Sequence, residues 1–201
     1  MSGAPKDLGP VDLAALIDRY LDRTRLDRYF ELLMEHNQRV NLVSRETSRA
    51  DFDRLVGESL LPLAKIRSTV DSYLDIGSGG GIPAIPIILS SAVSAESTLV
   101  ERTIKKARAL EALVRDLGLK AAVLPQNFEE LRDLPPLNLI TLRLSKPTEA
   151  MLIKIRRSLA PGGTFVYYST PQVSIPGFKG QVYTYRSTED PVAKSLTVFR
   201  L

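Results

Sequence analysis

The chain has 201 residues, of which 44% are hydrophobic, so it is long enough to bury one substantial core and too short for two full-sized catalytic domains. The absence of cysteine excludes disulfide bonds and thiolate metal sites, so we expect no bound metal. No run approaches the roughly 18 apolar residues of a membrane span, and we expect a cytoplasmic protein. The net charge of +4 is concentrated in residues 141–201, where 9 Lys and Arg face 3 Asp and Glu; this balance fits a polyanionic partner such as RNA and fits a lysine-rich soluble surface equally well.

Residues 1–65 are predicted to form a helical segment packed on the rest of the chain. Apolar residues recur at intervals of three and four between Val11 and Val40, which is the spacing of amphipathic helices. Because Asp22 or Thr24 can cap a second helix within this stretch, we predict two short helices instead of one long helix. A third helix is predicted from Asp51 to Leu61.

Residues 66–201 are predicted to form one α/β domain, because short apolar runs alternate there with helical patterns. This order implies a parallel, doubly wound sheet of the Rossmann-like kind. The predicted strands are Tyr73–Ile76, Thr98–Val100, Ala121–Leu124, Leu137–Leu142 and Thr164–Tyr168, and the predicted helices between them are Ile104–Leu117 and Thr148–Leu159. The last two apolar stretches, Gln181–Tyr185 and Leu196–Leu201, are predicted to form an antiparallel hairpin at the edge of the sheet.

A glycine-rich loop follows the first of these strands, between Leu74 and Pro83. Glycine lets a cofactor approach the backbone closely and tolerates a positive φ angle. The dinucleotide fingerprint requires glycine at the sixth position counted from Gly77, where this chain has Ile82, and the phosphate-binding P-loop requires a following Lys that is absent here. Asp75 before a G-x-G-x-G sequence is instead typical of S-adenosylmethionine sites.

An acidic residue at the end of the next strand favours the same cofactor. Glu101 follows Gly77 by 24 residues, at a place where a carboxylate accepts hydrogen bonds from both ribose hydroxyls. A glycine loop by itself also occurs as a tight turn without a ligand. The loop, the acid at the strand end and the strand-helix-strand order together predict a site for S-adenosylmethionine.

These residues, with short motifs elsewhere, resemble the glucose-inhibited division protein B family, the bacterial 16S rRNA guanine-N7 methyltransferases known as small subunit rRNA methyltransferase G. The resemblance extends from about Tyr29 to about Tyr168. The matching motifs are Asn41 to Ser44, Gly77 to Pro86 with its two prolines, Leu99 to Glu101 followed by Lys105 and Lys106, Asn127 to Glu130, and Thr141 to Arg143. The resemblance implies a class I methyltransferase fold and, as substrate, 16S rRNA or the small ribosomal subunit; we expect the protein to be a monomer.

The resemblance also implies the residues of the site. The family's cofactor contacts fall on Gly77, Ile82, Phe128, Glu129 and Arg143, to which Gly79 in the same loop and Glu101 at the ribose are added. Arg54 and Lys146 are predicted to bind RNA, and further candidates for phosphate contacts are Lys154, Arg156, Arg157 and Lys179. No catalytic base is predicted, because guanine N7 has a free lone pair and methyl transfer then requires positioning alone; Arg143 is expected to orient the substrate or the cofactor.

The chain departs from the family's pattern on the presumed substrate side. Leu55 stands where the family usually has His, and Ser169 stands where it has Lys; Lys146 is predicted to supply the missing charge. An Arg-His pair expected near the last strand is replaced around Lys194 and Ser195. Two alternatives therefore stay open: a methyltransferase for another nucleic acid or a small molecule, and a cofactor-binding, ribosome-associated module without catalysis.

Overall fold

The computed structural model describes residues 4–64, 66, 70–90, 92–93, 96–168, 179–188, 190 and 192–200, and an eight-stranded sheet lies at its centre. The strands are β1 (Lys6–Val11), β2 (Tyr73–Ile76), β3 (Ser97–Val100), β4 (Ala121–Leu124), β5 (Leu137–Arg143), β6 (Leu159–Tyr168), β7 (Lys179–Ser187) and β8 (Lys194–Arg200). Their order in the sheet is β1-β7-β8-β6-β5-β2-β3-β4, and every neighbouring pair is parallel except those that include β8. The predicted Rossmann-like α/β sheet is therefore confirmed.

Six α-helices accompany the sheet in the described part of the chain. They are α1 (Leu13–Tyr20), α2 (Arg23–Asn37), α3 (Arg49–Leu60), α4 (Ala84–Leu89), α5 (Ile104–Asp116) and α6 (Glu149–Ser158). The prediction of two short helices near the start is confirmed, and Asp22 is the cap of the second, since its carboxylate accepts a hydrogen bond from the Arg25 amide. Ser48 and Asp51 form a capping box at the start of α3. None of these helices is long and apolar enough to cross a membrane.

The two faces of the sheet bury two separate apolar cores. Successive residues of a strand point to opposite faces, so Tyr73 packs in one core and Leu74 in the other. Residues of α1 to α5 contribute to the first core. The second core lies against α6, which contributes Ile155, and against the turn that carries Phe128.

Strand β1 was missed by the sequence prediction, which made residues 1–65 helical. It pairs in parallel with β7, placing Lys6 opposite Tyr183. The hairpin of β7 and β8 is antiparallel as predicted, but it does not form the edge of the sheet, because β1 covers β7. The sequence of β1 contains Gly9 and Pro10, and lacks the alternation of a half-buried strand, so its extended form depends on a partner far along the chain.

Close contacts hold α1 and α3 together and fix the helical segment to the sheet. A Cβ atom on Gly57 of α3 would lie 2.7 Å from the Leu13 Cβ atom, so glycine permits α1 and α3 to approach. The Tyr29 hydroxyl donates to the Gly80 carbonyl at 2.7 Å, and the Tyr168 hydroxyl donates to the Ser59 carbonyl at 2.8 Å. Helix α3 is thereby held beside the carboxyl ends of the central strands.

Candidate functional site

A crevice of about 860 Å³ opens at the carboxyl ends of β2, β3 and β5. Parallel α/β sheets bind ligands at this edge, and the volume is within the usual range of about 300 to 1,000 Å³ for ligand sites. The seven residues predicted for cofactor binding and the two predicted to bind RNA line this one crevice: Gly77, Gly79, Ile82, Glu101, Phe128, Glu129 and Arg143, with Arg54 and Lys146. The further candidates for phosphate contacts, Lys154, Arg156 and Arg157, do not line it. Residues far apart in the sequence are thus brought together at the predicted place.

One side of the crevice, here named the loop wall, consists of Gly77–Gly81 and Glu101. Gly77, Gly79 and Gly81 have φ angles of +71°, +52° and +90°, which favour glycine. The Gly77 and Ser78 amides donate to the Val100 carbonyl at 2.8 and 3.0 Å, which fixes the loop to the end of β3. A Cβ atom at Gly77 would meet only open space, so this backbone is accessible to a ligand.

Glu101 is tied to the same loop through its carboxylate. One oxygen accepts a hydrogen bond from the Gly79 amide at 3.0 Å, and the other accepts from the Thr103 amide at 2.8 Å. The residue is only 6% exposed, yet it lines the crevice. Because a carboxylate has about four lone-pair sites, two sites remain to accept hydrogen bonds from the vicinal hydroxyls of a ribose, and this acceptor fits S-adenosylmethionine.

The segment Asn41–Ser44, which carries part of the family resemblance, packs against the loop wall. The Asn37 side chain accepts from the amides of Leu42 and Val43 at 2.8 and 3.1 Å, which fixes the turn. A Cβ atom on Gly80 would lie 3.2 Å from the Leu42 Cβ atom. The glycine at this position therefore lets the turn and the loop approach each other.

Asp75 lies beneath the loop wall and is completely buried. One carboxylate oxygen accepts from the Thr141 hydroxyl, which also contacts the Tyr73 hydroxyl at 2.8 Å, while the other oxygen has no hydrogen-bond partner among the described residues. Burial raises the pKa of Asp75 to about 7, although the hydrogen bonds from Thr141 and Ser78 act in the opposite direction. The Ser78 hydroxyl donates to the Asp75 carbonyl at 3.2 Å, so Asp75 is joined to the loop through its backbone.

A short 3-10 turn, residues 128–130, forms the next part of the crevice. Phe128 is buried, and the Lys154 ammonium lies 5.2 Å from its ring centroid. The same ammonium donates to the carbonyls of Glu129, at 2.9 Å, and Leu131. Sequence analysis interpreted Lys154 as a candidate for a phosphate contact. In the structure its ammonium group instead binds this turn.

The side of the crevice that faces α3 contains an ion cluster made of Arg54, Glu58, Arg143 and Lys194. Glu58 accepts from Arg143 at 2.6 Å with one oxygen, and from Lys194 at 2.9 Å and Arg54 at 3.2 Å with the other. Burial alone would raise the pKa of Glu58, but the charges of Arg143 and Lys194 hold it below its ordinary value. Sequence analysis missed Glu58, since no local pattern shows that α3, β5 and β8 meet.

The outer rim of the crevice follows Arg143 directly. Leu144 has a φ angle of +63° and is 91% exposed, an unusual combination for a large apolar residue. Lys146, two residues further on, is exposed on the same rim. Ser169 and the side chain of Lys179 lie outside the described residues.

The comparisons with known sequences point to one family. A family model described as rRNA small subunit methyltransferase G matches residues 22–175. The ribosomal RNA small subunit methyltransferase G of Helicobacter pylori is 33% identical over 149 residues, which cover 74% of this chain and 82% of the relative. That of Paracoccus denitrificans is 28% identical over 181 residues, which cover 87% of this chain and 93% of the relative.

The comparisons with solved structures bear on the fold. A putative O-methyltransferase from Klebsiella pneumoniae has a TM-score of 0.58 at 16% identity, covering 88% of this chain and 89% of that one. The O-methyltransferase from Bacillus cereus, solved in complex with SAH, has a TM-score of 0.59 at 13% identity, covering 87% of this chain and 90% of that one. Both share the arrangement of helices around a central sheet.

Proposed function

The chain belongs to the rRNA small subunit methyltransferase G family, and from this membership we propose that it methylates N7 of a guanine in 16S ribosomal RNA. It is an S-adenosylmethionine-dependent methyltransferase with a Rossmann-like fold. The observation that carries the proposal is the single crevice that contains the residues predicted for the methyl donor and for the RNA.

We assign the methyl donor to the loop wall and the neighbouring turn. Gly77 and Gly79 offer backbone without a Cβ atom, and Glu101 retains free lone pairs for ribose hydroxyls. Phe128 and Glu129 follow along the crevice, and we assign them to the adenine. Arg143 orients the bound substrate or cofactor from the end of β5.

Methylation of guanine N7 requires positioning and no general base. S-adenosylmethionine supplies a methyl group on a positively charged sulfur, which an unprotonated ring nitrogen can attack directly. The residues of this chain then have to bind both partners, orient them and exclude water. Such orientation contributes up to about 7 to 11 kcal/mol of barrier lowering.

The RNA side of the crevice is assigned to cations and to one apolar residue. Arg54 and Lys146 lie on the crevice, and Lys146 forms no ion pair with the residues that the structure describes. A guanine must be unstacked before its N7 can enter the site. Leu144, exposed on the rim, offers an apolar surface to a base that has lost its stacking neighbours.

The direct test uses the purified chain, small ribosomal subunits that lack 7-methylguanosine, and S-adenosylmethionine with a labelled methyl group. After digestion of the RNA, mass spectrometry should find one labelled 7-methylguanosine per subunit. Label in another nucleoside, or only in a different RNA, would favour the alternative of another methylation substrate. Donor binding by calorimetry without any transfer would favour a module that has lost catalysis.

A further inference from the structure

We propose that Glu58 is a positioning residue that holds the guanidinium groups of Arg54 and Arg143 in the crevice. The assignment of Arg54 to RNA rests on the proposed function, whereas the assignment of Arg143 is testable with the methyl donor alone. Glu58 itself does not line the crevice, but both arginines do. It therefore acts on the ligands only through them.

Glu58 is placed between the two arginines by its two carboxylate oxygens. One oxygen lies 2.6 Å from Arg143, and the other lies 3.2 Å from Arg54. Two like charges in one wall repel each other, and an anion bonded to both offsets that repulsion. Because the pKa of Glu58 lies below its ordinary value despite burial, this anion is present throughout the neutral range.

Arg143 depends on Glu58 more than the other cations do. Its side chain is only 10% exposed, and Glu58 is the one carboxylate that pairs with it among the described residues. Arg54 has a second partner in Asp51, and Lys194 has a second partner in Asp190. The Tyr168 ring packs against the Arg143 guanidinium, and its centroid lies 5.6 Å from that group. Without Glu58, the Arg143 guanidinium keeps this ring and a 3.5 Å contact with the Leu55 carbonyl, but it loses its shortest hydrogen bond and its counter-charge.

The critical substitution is Glu58→Gln, which keeps the size of the side chain and removes its charge. We expect the dissociation constant for S-adenosylmethionine to rise about tenfold through Arg143, which corresponds to about 1.4 kcal/mol. The KM for the RNA should rise about fivefold through Arg54. Glu58→Asp, which keeps the negative charge, should recover part of both losses.

Two controls separate positioning from general loss of structure. Asp53→Asn removes an acid from the same helix, where Asp53 pairs with Arg49 and lies off the crevice. Lys194→Met removes a cation that shares Glu58 but does not line the crevice. The Asp53→Asn variant should bind the methyl donor within twofold of the wild-type affinity, whereas Lys194→Met, which leaves Glu58 paired with both arginines, should weaken donor binding less than Glu58→Gln does.

A reversibly unfolded fraction weakens the apparent affinity only in proportion to the folded fraction, so a melting curve of the same variant separates partial unfolding from a tenfold loss of donor affinity. If Glu58→Gln unfolds, the double variant Glu58→Gln with Lys194→Met takes its place, because it also removes the Lys194 ammonium, which would otherwise have lost its Glu58 partner. A Glu58→Gln protein with a lowered melting temperature but wild-type donor affinity would overturn the proposal. Two combined outcomes separate the proposals. If Glu58→Gln leaves the donor affinity unchanged and the wild type fails to methylate 16S rRNA, both proposals are overturned. If Glu58→Gln weakens donor binding tenfold but the wild type does not methylate 16S rRNA, only the proposed function is overturned.

Discussion

A buried carboxylate lies beside each wall of the crevice, Asp75 beneath the loop wall and Glu58 in the ion cluster, and the two groups differ in the direction of their pKa shifts. Beneath the loop wall, Asp75 has hydroxyl partners, and burial raises its pKa to about 7. In the ion cluster, Glu58 is also buried, yet Arg143 and Lys194 hold its pKa below the ordinary value. The chemistry of the partners, more than the depth of burial, decides which of the two acids is charged at neutral pH.

The walls also differ in construction. The loop wall comes from residues 77–101 and depends on backbone amides and positive φ angles. The ion cluster joins α3, β5 and β8 mainly through ion pairs between side chains. We therefore expect added side-chain volume to disrupt the loop wall, and loss of charge to disrupt the ion cluster.

Asp75→Asn addresses the difference in charge and should have the largest effect. The pKa of Asp75 is about 7 in the folded protein against 3.8 for an ordinary aspartate, so the folded state holds the proton more tightly. The contribution of Asp75 to the free energy of unfolding should therefore fall as the pH rises from about 4 through 7. The variant lacks this titration, so the difference between the two proteins should change by on the order of 4 kcal/mol. Urea unfolding across this range measures it, and parallel pH profiles would contradict the raised pKa.

Gly81→Ala tests the dependence of the loop wall on backbone shape. The new Cβ atom would lie 2.4 Å from the Ile85 Cδ1 atom, at a φ of +90°. Strain and overpacking together should lower the free energy of unfolding by roughly 3 kcal/mol. Gly118→Ala is the matched control, because Gly118 has a φ of +62° but open space around it, and should cost about 1 kcal/mol. Equal losses in thermal unfolding would show that crowding at Gly81 is unimportant.

Glu101→Ala tests the assignment of the ribose. The substitution removes the acceptor for the Gly79 and Thr103 amides as well as the lone pairs offered to the ligand. Calorimetry should show at least about tenfold weaker binding of S-adenosylmethionine, or about 1.4 kcal/mol. Glu130→Ala, an exposed acid outside the crevice, should leave the affinity unchanged. Wild-type affinity in the Glu101 variant would remove this residue from the site.

Lys154→Met should produce the smallest of these effects. Lys154 holds the carbonyls of Glu129 and Leu131, so its loss should loosen the turn and weaken donor binding about threefold. Arg156→Met, an exposed cation on the same helix, should not change donor affinity. If Lys154→Met instead reduces the salt dependence of RNA binding and leaves the donor affinity unchanged, Lys154 contacts an RNA phosphate, as the sequence analysis predicted.

The sequence predicted those parts of the molecule that local patterns determine. Strand β2, the glycine loop and Glu101 after β3 lie within a short stretch of the sequence. Their residue types and spacing are enough to predict their local structure. The pairing of β1 with β7 has no such local signal. Neither Glu58 nor the carbonyl contacts of Lys154 follow from spacing, because each requires knowing which distant elements meet.

Strand β1 has a consequence for association between molecules. Without it, β7 would present a row of unpaired amide and carbonyl groups, to which a strand of another chain can add. β1 occupies that edge and is itself a poor template, since it contains Lys6, Pro10 and an irregular register between Asp7 and Pro10. Strand β1 thus protects the sheet against edge-to-edge aggregation, although none of its residues lines the crevice.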